Sequence, residues 1–238
     1  MHSYYEHKKS DIMSQMEGFI LAGQKVLSRY YDTDFTNVAL KATRDNYAII
    51  LDKLPYIGGD TNRLTFTLIW TAMALALYQA MKAHGGKAQN AANIFYEILE
   101  FAYSNRFMKF QITKRDPKVV AKAIEQEKDF DSMLQRREYP ENWVAKYIDC
   151  TGTEFDYGRD FEECGMIKLL RTHGAEELGP YLCTADFLQF KAQRMGLKRT
   201  KTLALGDRCC DFRVRLGSDE ISLEPFSEAL LKEWGKLT

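Results

Sequence analysis

The sequence predicts an α+β fold, in which an amino-terminal helical region is followed by a small antiparallel sheet with packed helices. Two observations predict it. Up to residue 140 the apolar residues recur at three- and four-residue spacing, the signature of helices with one buried face. From Pro140 onward the texture changes to short runs of aromatic and β-branched residues punctuated by glycine, the signature of strands and turns. A chain of 238 residues makes one large domain or two small ones. The expected division is a helical region over 1–140 and an α+β domain over 141–238, as separate domains or one continuous domain.

The helices follow in order. Asp11 to Tyr31 places Ile12, Met16, Phe19, Ile20, Val26, Leu27 and Tyr30 at helical spacing. A second run, about Asn37 to Leu54, stops at Pro55 and the Gly58-Gly59 pair. Thr61 or Asn62 is placed to cap a helix over Leu64–Met81, which stops at Gly85-Gly86, and another runs from about Gln89 to Tyr103. Asp116-Pro117 reads as an N-cap followed by proline at the first helical position. The helix it opens, Lys118 to Glu138, is heavily charged with a thin apolar stripe, which suits a solvated face or an interaction arm.

Beyond Pro140, Trp143–Cys150 and Thr153–Phe161 read as strands, and 163–174 and 180–194 as helices. Leu197–Leu205 and Cys210–Leu216 flank Gly206-Asp207-Arg208, which reads as a β-hairpin. Phe226–Trp234 reads as a short amphipathic helix.

Charge and composition exclude several classes. The chain carries 33 basic and 33 acidic residues, so no net field favours nucleic acid or an acidic membrane as partner. The stretch Leu64–Met81 is free of charge, but it contains three threonines and a glutamine and is short for a span, so a central core helix is expected instead of a membrane helix. The opening residues lack the basic start and apolar core of a signal peptide, and five cysteines, two of them adjacent, suggest no disulfide framework. A cytoplasmic protein with reduced thiols is expected, and self-association into a homo-oligomer is left open.

The residues with chemical potential gather late in the chain. Cys183 and Asp186 share a helix face with Phe187. Period-two alternation puts Cys210, Phe212 and Val214 on one side of the last strand and Cys209, Asp211, Arg213 and Arg215 on the other. Each has a plainer reading: free cysteine is usually core, and the aspartates and arginines suit a solvated surface. Cys164 is near a helix start, where a thiol is acidified, but two adjacent glutamates oppose that. No CxxC or HxxxH spacing supports zinc, and no P-loop, dinucleotide fingerprint or serine-nucleophile elbow is present. No metal and no cofactor is expected.

Three segments, FEECG at 161–165, ELGPYLCTADF at 177–187 and RTKTLALGDRCCDFR at 199–213, together resemble the L-2-amino-thiazoline-4-carboxylic acid hydrolase family over about residues 155–215. That resemblance implies ring opening of a cyclic isothiourea to a carbamoyl-cysteine. It also implies a small-molecule partner carrying a carboxylate and an amidine-like group. On that reading Cys183 is the expected nucleophile, with Asp186 and Asp211 around the amidine; the alternative is that a carboxylate activates water. Arg199 would grip the substrate carboxylate, with Thr200, Cys210 and Arg213 also in the binding site. More distantly, the same third is similar to the four-vinyl-reductase-type ligand-binding domain, whose metal is held by cysteines and an acid. Laid on that pattern, Cys183 and Cys210 keep two positions, while Arg199 and Thr202 replace the other two. Two alternatives to the thiazoline hydrolase stand beside it: a non-hydrolytic family member acting on another small heterocycle or amidine, and, from that likeness, a small-molecule-binding module without catalysis.

Overall fold

A computed structural model describes residues 1–104, 116–150, 154–226 and 231–232. The chain forms two compact units, one of residues 1–102 with 166–182, the other of 103–165 with 183–238. The expected α+β architecture is present: helices dominate the first unit and a four-stranded antiparallel sheet organises the second.

In the first unit, α2 (Lys9–Leu27), α3 (Thr33–Asp52), α4 (Leu64–Lys82) and α5 (Ala88–Ser104) follow the periodicity of the sequence, and a short α1 (Ser3–His7), not anticipated from the sequence, precedes them. Asp32 caps α3 by accepting from the Phe35 N–H at 2.8 Å, and Asn62 Oδ1 accepts from the Leu64 N–H as α4 begins. By length and composition α4 is apolar enough to cross a membrane, yet 72% of its apolar window is buried inside the protein. It packs on α3 and α2, with Leu68, Met73, Leu75 and Leu77 sealed from solvent, so a central core helix is what the apolar run builds. The segment α7 (Gly165–Thr172) and α8 (Gly179–Leu182) supplies the rest of this unit. Glu177 ties it to α4, accepting from the Tyr78 hydroxyl and, at 3.0 Å, from Lys82 Nζ.

The second unit is built on β1 (Val144–Ile148), β2 (Tyr157–Glu163), β3 (Met195–Lys198) and β4 (Cys210–Leu216), in the order β1-β2-β4-β3. The helix α6 (Pro117–Gln135) starts as the sequence signalled, with Asp116 accepting from the Lys118 N–H at 2.8 Å. It packs on β1 and β2, and α9 (Ala185–Ala192) packs on β3. Arg159 of β2 fixes α6 to the sheet through Asp131 at 2.6 Å and Glu127 at 2.5 Å. Gly165 is needed where it stands, because a Cβ there would come within 2.6 Å of the Trp143 ring.

Two expectations are corrected. Residues 180–194 are not one helix: α8 ends at Leu182 and α9 begins at Ala185. The Phe187 N–H bonds the Thr184 carbonyl instead of that of Cys183, which is taken by the Arg199 guanidinium at 3.1 Å. Nor do the arms of the expected hairpin extend to a tight turn at 206–208. Strands β3 and β4 do pair, with Lys198 opposite Arg213, but β3 ends there and residues 199–209 form a loop. Gly206, at φ +94°, closes a 3-10 turn over Leu203–Leu205 inside that loop. Most of the helix expected over Phe226–Trp234 lies outside the described residues.

Candidate active site

The break between α8 and α9, the end of β3 and the start of β4 bring a thiol, a carboxylate and a guanidinium together within the second unit. Arg199 directly follows β3 and is 1% exposed. Its Nη1 donates to Asp186 Oδ2 at 2.8 Å and its Nη2 to the Cys183 carbonyl at 3.1 Å. The rings of Phe187, Phe212 and Phe226 surround the guanidinium, each centroid within 5.1–5.5 Å of its carbon. Aromatic faces stabilise a desolvated cation, which explains how a full charge sits among phenylalanines. Arg199 Nε has no hydrogen-bond partner among the described residues.

Cys183 and Cys210 are both buried, and the hydroxyl of the buried Thr202 lies against both sulfurs, 3.7 Å from Cys183 Sγ and 3.5 Å from Cys210 Sγ. The Leu203 N–H also donates to Cys210 Sγ, at 3.2 Å. Burial pushes the Cys183 thiol well above its ordinary pKa, with the Arg199 charge opposing. Burial likewise pushes Cys210 up, against the hydrogen bonds from Thr202 and Leu203. Asp186 is also raised by burial, with Arg199 opposing through charge and hydrogen bond. Its side chain keeps 31% exposure, and its Oδ1 has no hydrogen-bond partner among the described residues. Asp186 is thus the member of the cluster that solvent reaches, with one oxygen fixed and the other open.

Of the residues singled out in the sequence, Cys183, Asp186, Arg199 and Cys210 meet here. Asp211, Thr200 and Arg213 do not join them. Asp211 lies on the opposite face of β4 from Cys210 and Phe212, accepting from the Thr200 and Lys201 N–H groups at 2.8 and 2.6 Å and from the Thr200 hydroxyl at 2.6 Å. Arg213, on that same face, pairs with Asp160 at 2.8 Å. Phe212 had a legible signal, since alternation places it beside Cys210. Nothing local signals Phe226, whose ring reaches Arg199 from further along the chain.

Among the described residues no three His, Cys, Asp or Glu side chains converge on one point. The four positions that the four-vinyl-reductase-type pattern assigns to metal ligands do come together, as two sulfurs, a guanidinium and a hydroxyl. That donor set does not suit a divalent cation, because a guanidinium carries positive charge and has no lone pair to offer. Two surface clefts lie on other residues. One, of about 430 Å³, is lined by Lys82, Lys87, Gln89, Glu177 and Tyr181, and the other, of about 310 Å³, by Pro117, Val120, Ala121 and Ile124.

A family model described as L-2-amino-thiazoline-4-carboxylic acid hydrolase matches residues 66–214, more than half of the chain. The chain belongs to this family. Among curated proteins and among solved structures, nothing matches it significantly. The L-2-amino-thiazoline-4-carboxylic acid hydrolase match begins within α4, far ahead of the segments that carry the resemblance in the sequence. It spans every member of the Cys183–Arg199 cluster except Phe226.

Proposed function

We propose that the protein hydrolyses a small cyclic amidine or isothiourea, L-2-amino-thiazoline-4-carboxylate or a close relative, to a carbamoyl-cysteine. Such a step would belong to cysteine metabolism in the cytoplasm. The observation that carries this reading is the Asp186 carboxylate, held at Oδ2 by Arg199 and open at Oδ1, inside the span of a hydrolase family.

The protonated amidine is a cation, and a partly desolvated carboxylate attracts it. The carbon between two nitrogens and a sulfur is then electrophilic. Asp186 Oδ1 takes a proton from the water that adds to this carbon and returns it to the ring sulfur as the C–S bond breaks. The adduct's hydroxyl proton leaves as the carbamoyl C=O forms, so substrate and one water give the open product. Raising a carboxylate above its usual range makes it a better base for this step. Arg199, itself sealed from solvent, orients Asp186 through its Nη1 donation at 2.8 Å. Cys183 and Cys210 form the apolar floor.

A second reading, attack by the Cys183 thiolate, is favoured by the Arg199 charge that opposes the burial of that thiol. Purified protein incubated with L-2-amino-thiazoline-4-carboxylate, with and without chelator and followed by mass detection, tests the activity. A Cys183→Ser variant separates the two routes: retained turnover supports water activation, and its loss supports the thiol. No turnover by the parent overturns L-2-amino-thiazoline-4-carboxylate as the substrate and leaves another amidine or heterocycle, or a binding role without catalysis.

A further inference from the structure

The three peptide N–H groups that follow Arg199 all end on carboxylates. Asp211 Oδ1 accepts from Thr200 at 2.8 Å and from Lys201 at 2.6 Å. Asp207 Oδ2 accepts from Thr202 at 2.8 Å, and the Asp207 N–H returns a bond to the Thr202 carbonyl at 3.2 Å. A loop of this length ordinarily leaves such groups to water. Here they are fixed by charge-assisted bonds, each stronger than its neutral equivalent. The burial of the segment shows the consequence: Thr200 and Lys201 are exposed, whereas Arg199 and Thr202 are turned inward and sealed.

We infer that Asp207 and Asp211 are positioning residues. They hold the backbone of Thr200–Thr202 from its outer side, and so keep the Arg199 guanidinium on Asp186 and the Thr202 hydroxyl between the sulfurs of Cys183 and Cys210. The assignment of a catalytic consequence rests on the hydrolase reading above; the geometric consequence does not. It gives Asp211 a task other than contact with the amidine, and assigns one to Asp207.

The test pairs alanine with asparagine at each position, because asparagine keeps an oxygen for the backbone N–H groups and alanine does not. Native protein is treated with iodoacetamide and the modification of each cysteine is followed by peptide mass spectrometry. Cys183 and Cys210 of Asp211→Ala and Asp207→Ala are expected to react about tenfold faster than in the parent through local opening, with Cys150 unchanged. The Asp211→Asn and Asp207→Asn variants are expected to stay near the parent rate. On turnover, the alanine variants should lose about 10- to 100-fold in kcat with a smaller change in KM, as displaced catalytic groups do. If Asp211→Ala does not fold, Asp211→Ser, whose shorter side chain falls short of the loop, replaces it in the same comparison. Parent-like protection of Cys183 and Cys210 in both alanine variants, or an equal rise at all five cysteines, would overturn the inference. Should the parent turn over no substrate, the hydrolase reading fails while the alkylation pattern still decides the clamp.

Discussion

Arg199 donates from Nη1 to Asp186 Oδ2 at 2.8 Å, from a position where its own side chain is shut off from water. The two charges define each other. Burial raises the carboxylate and Arg199 draws it back, while the guanidinium is compensated by that carboxylate, a carbonyl and three aromatic faces. Removing either partner leaves the other's charge partly or wholly buried without its counter-charge.

Arg199→Met should therefore do more than remove a contact. It strands Asp186 and frees the Cys183 carbonyl, and the expected loss of stability is about 3 kcal/mol, the low end for breaking a buried pair because Asp186 keeps some solvent. Arg199→Lys should not rescue it, since an ammonium cannot reach the carboxylate and the carbonyl with the same planar fork. Urea unfolding of the two variants checks both statements; a parent-like midpoint for the lysine variant would refute the second.

The raised Asp186 also fixes the sign of two pH effects. A base that works as carboxylate but holds its proton above the usual carboxylate range places the acid limb of kcat/KM above that range as well. For stability, the folded state binds this proton more tightly than the unfolded chain. The contribution is therefore full below the unfolded pKa and is lost as pH rises through the folded one. Asp186→Asn should flatten that part of the pH–stability curve, measured by denaturant unfolding across the acidic range. An unchanged slope would mean that Asp186 is not the group responsible.

A second arginine offers an internal contrast. Arg159, at 11% side-chain exposure, bridges Glu127 and Asp131, the latter at 1%, and so joins α6 to the sheet. Arg159→Ala is expected to destabilise by about 3–5 kcal/mol. Arg44, whose pair with Glu17 is at 43% and 50% exposure, should give less than about 1 kcal/mol on the same change. Equal effects at the two positions would contradict the burial argument.

Much of this was legible from local patterns. Period-two alternation put Cys210, Phe212 and Val214 on one face of the last strand, and they are the buried face of β4. Asp116-Pro117 announced the start of α6 with its cap. What failed were features set by distant partners. The helix over 180–194 looks continuous in the sequence, whereas at its interruption the Cys183 carbonyl bonds Arg199, sixteen residues further on. The glycine at 206 was a real turn signal, but it closes a 3-10 turn instead of a hairpin. Asp211 drew attention as a carboxylate beside cysteines. Its bonds to the loop follow from the chain folding back over β4, which residue type and spacing do not encode.

The most direct measurement is turnover of L-2-amino-thiazoline-4-carboxylate by the parent and by Asp186→Asn and Cys183→Ser, each checked for folding. The account predicts turnover by the parent, a loss of about 10²–10⁴-fold on removing the base at Asp186, and substantial activity in Cys183→Ser. An Asp186→Asn enzyme as fast as its parent would contradict the central claim.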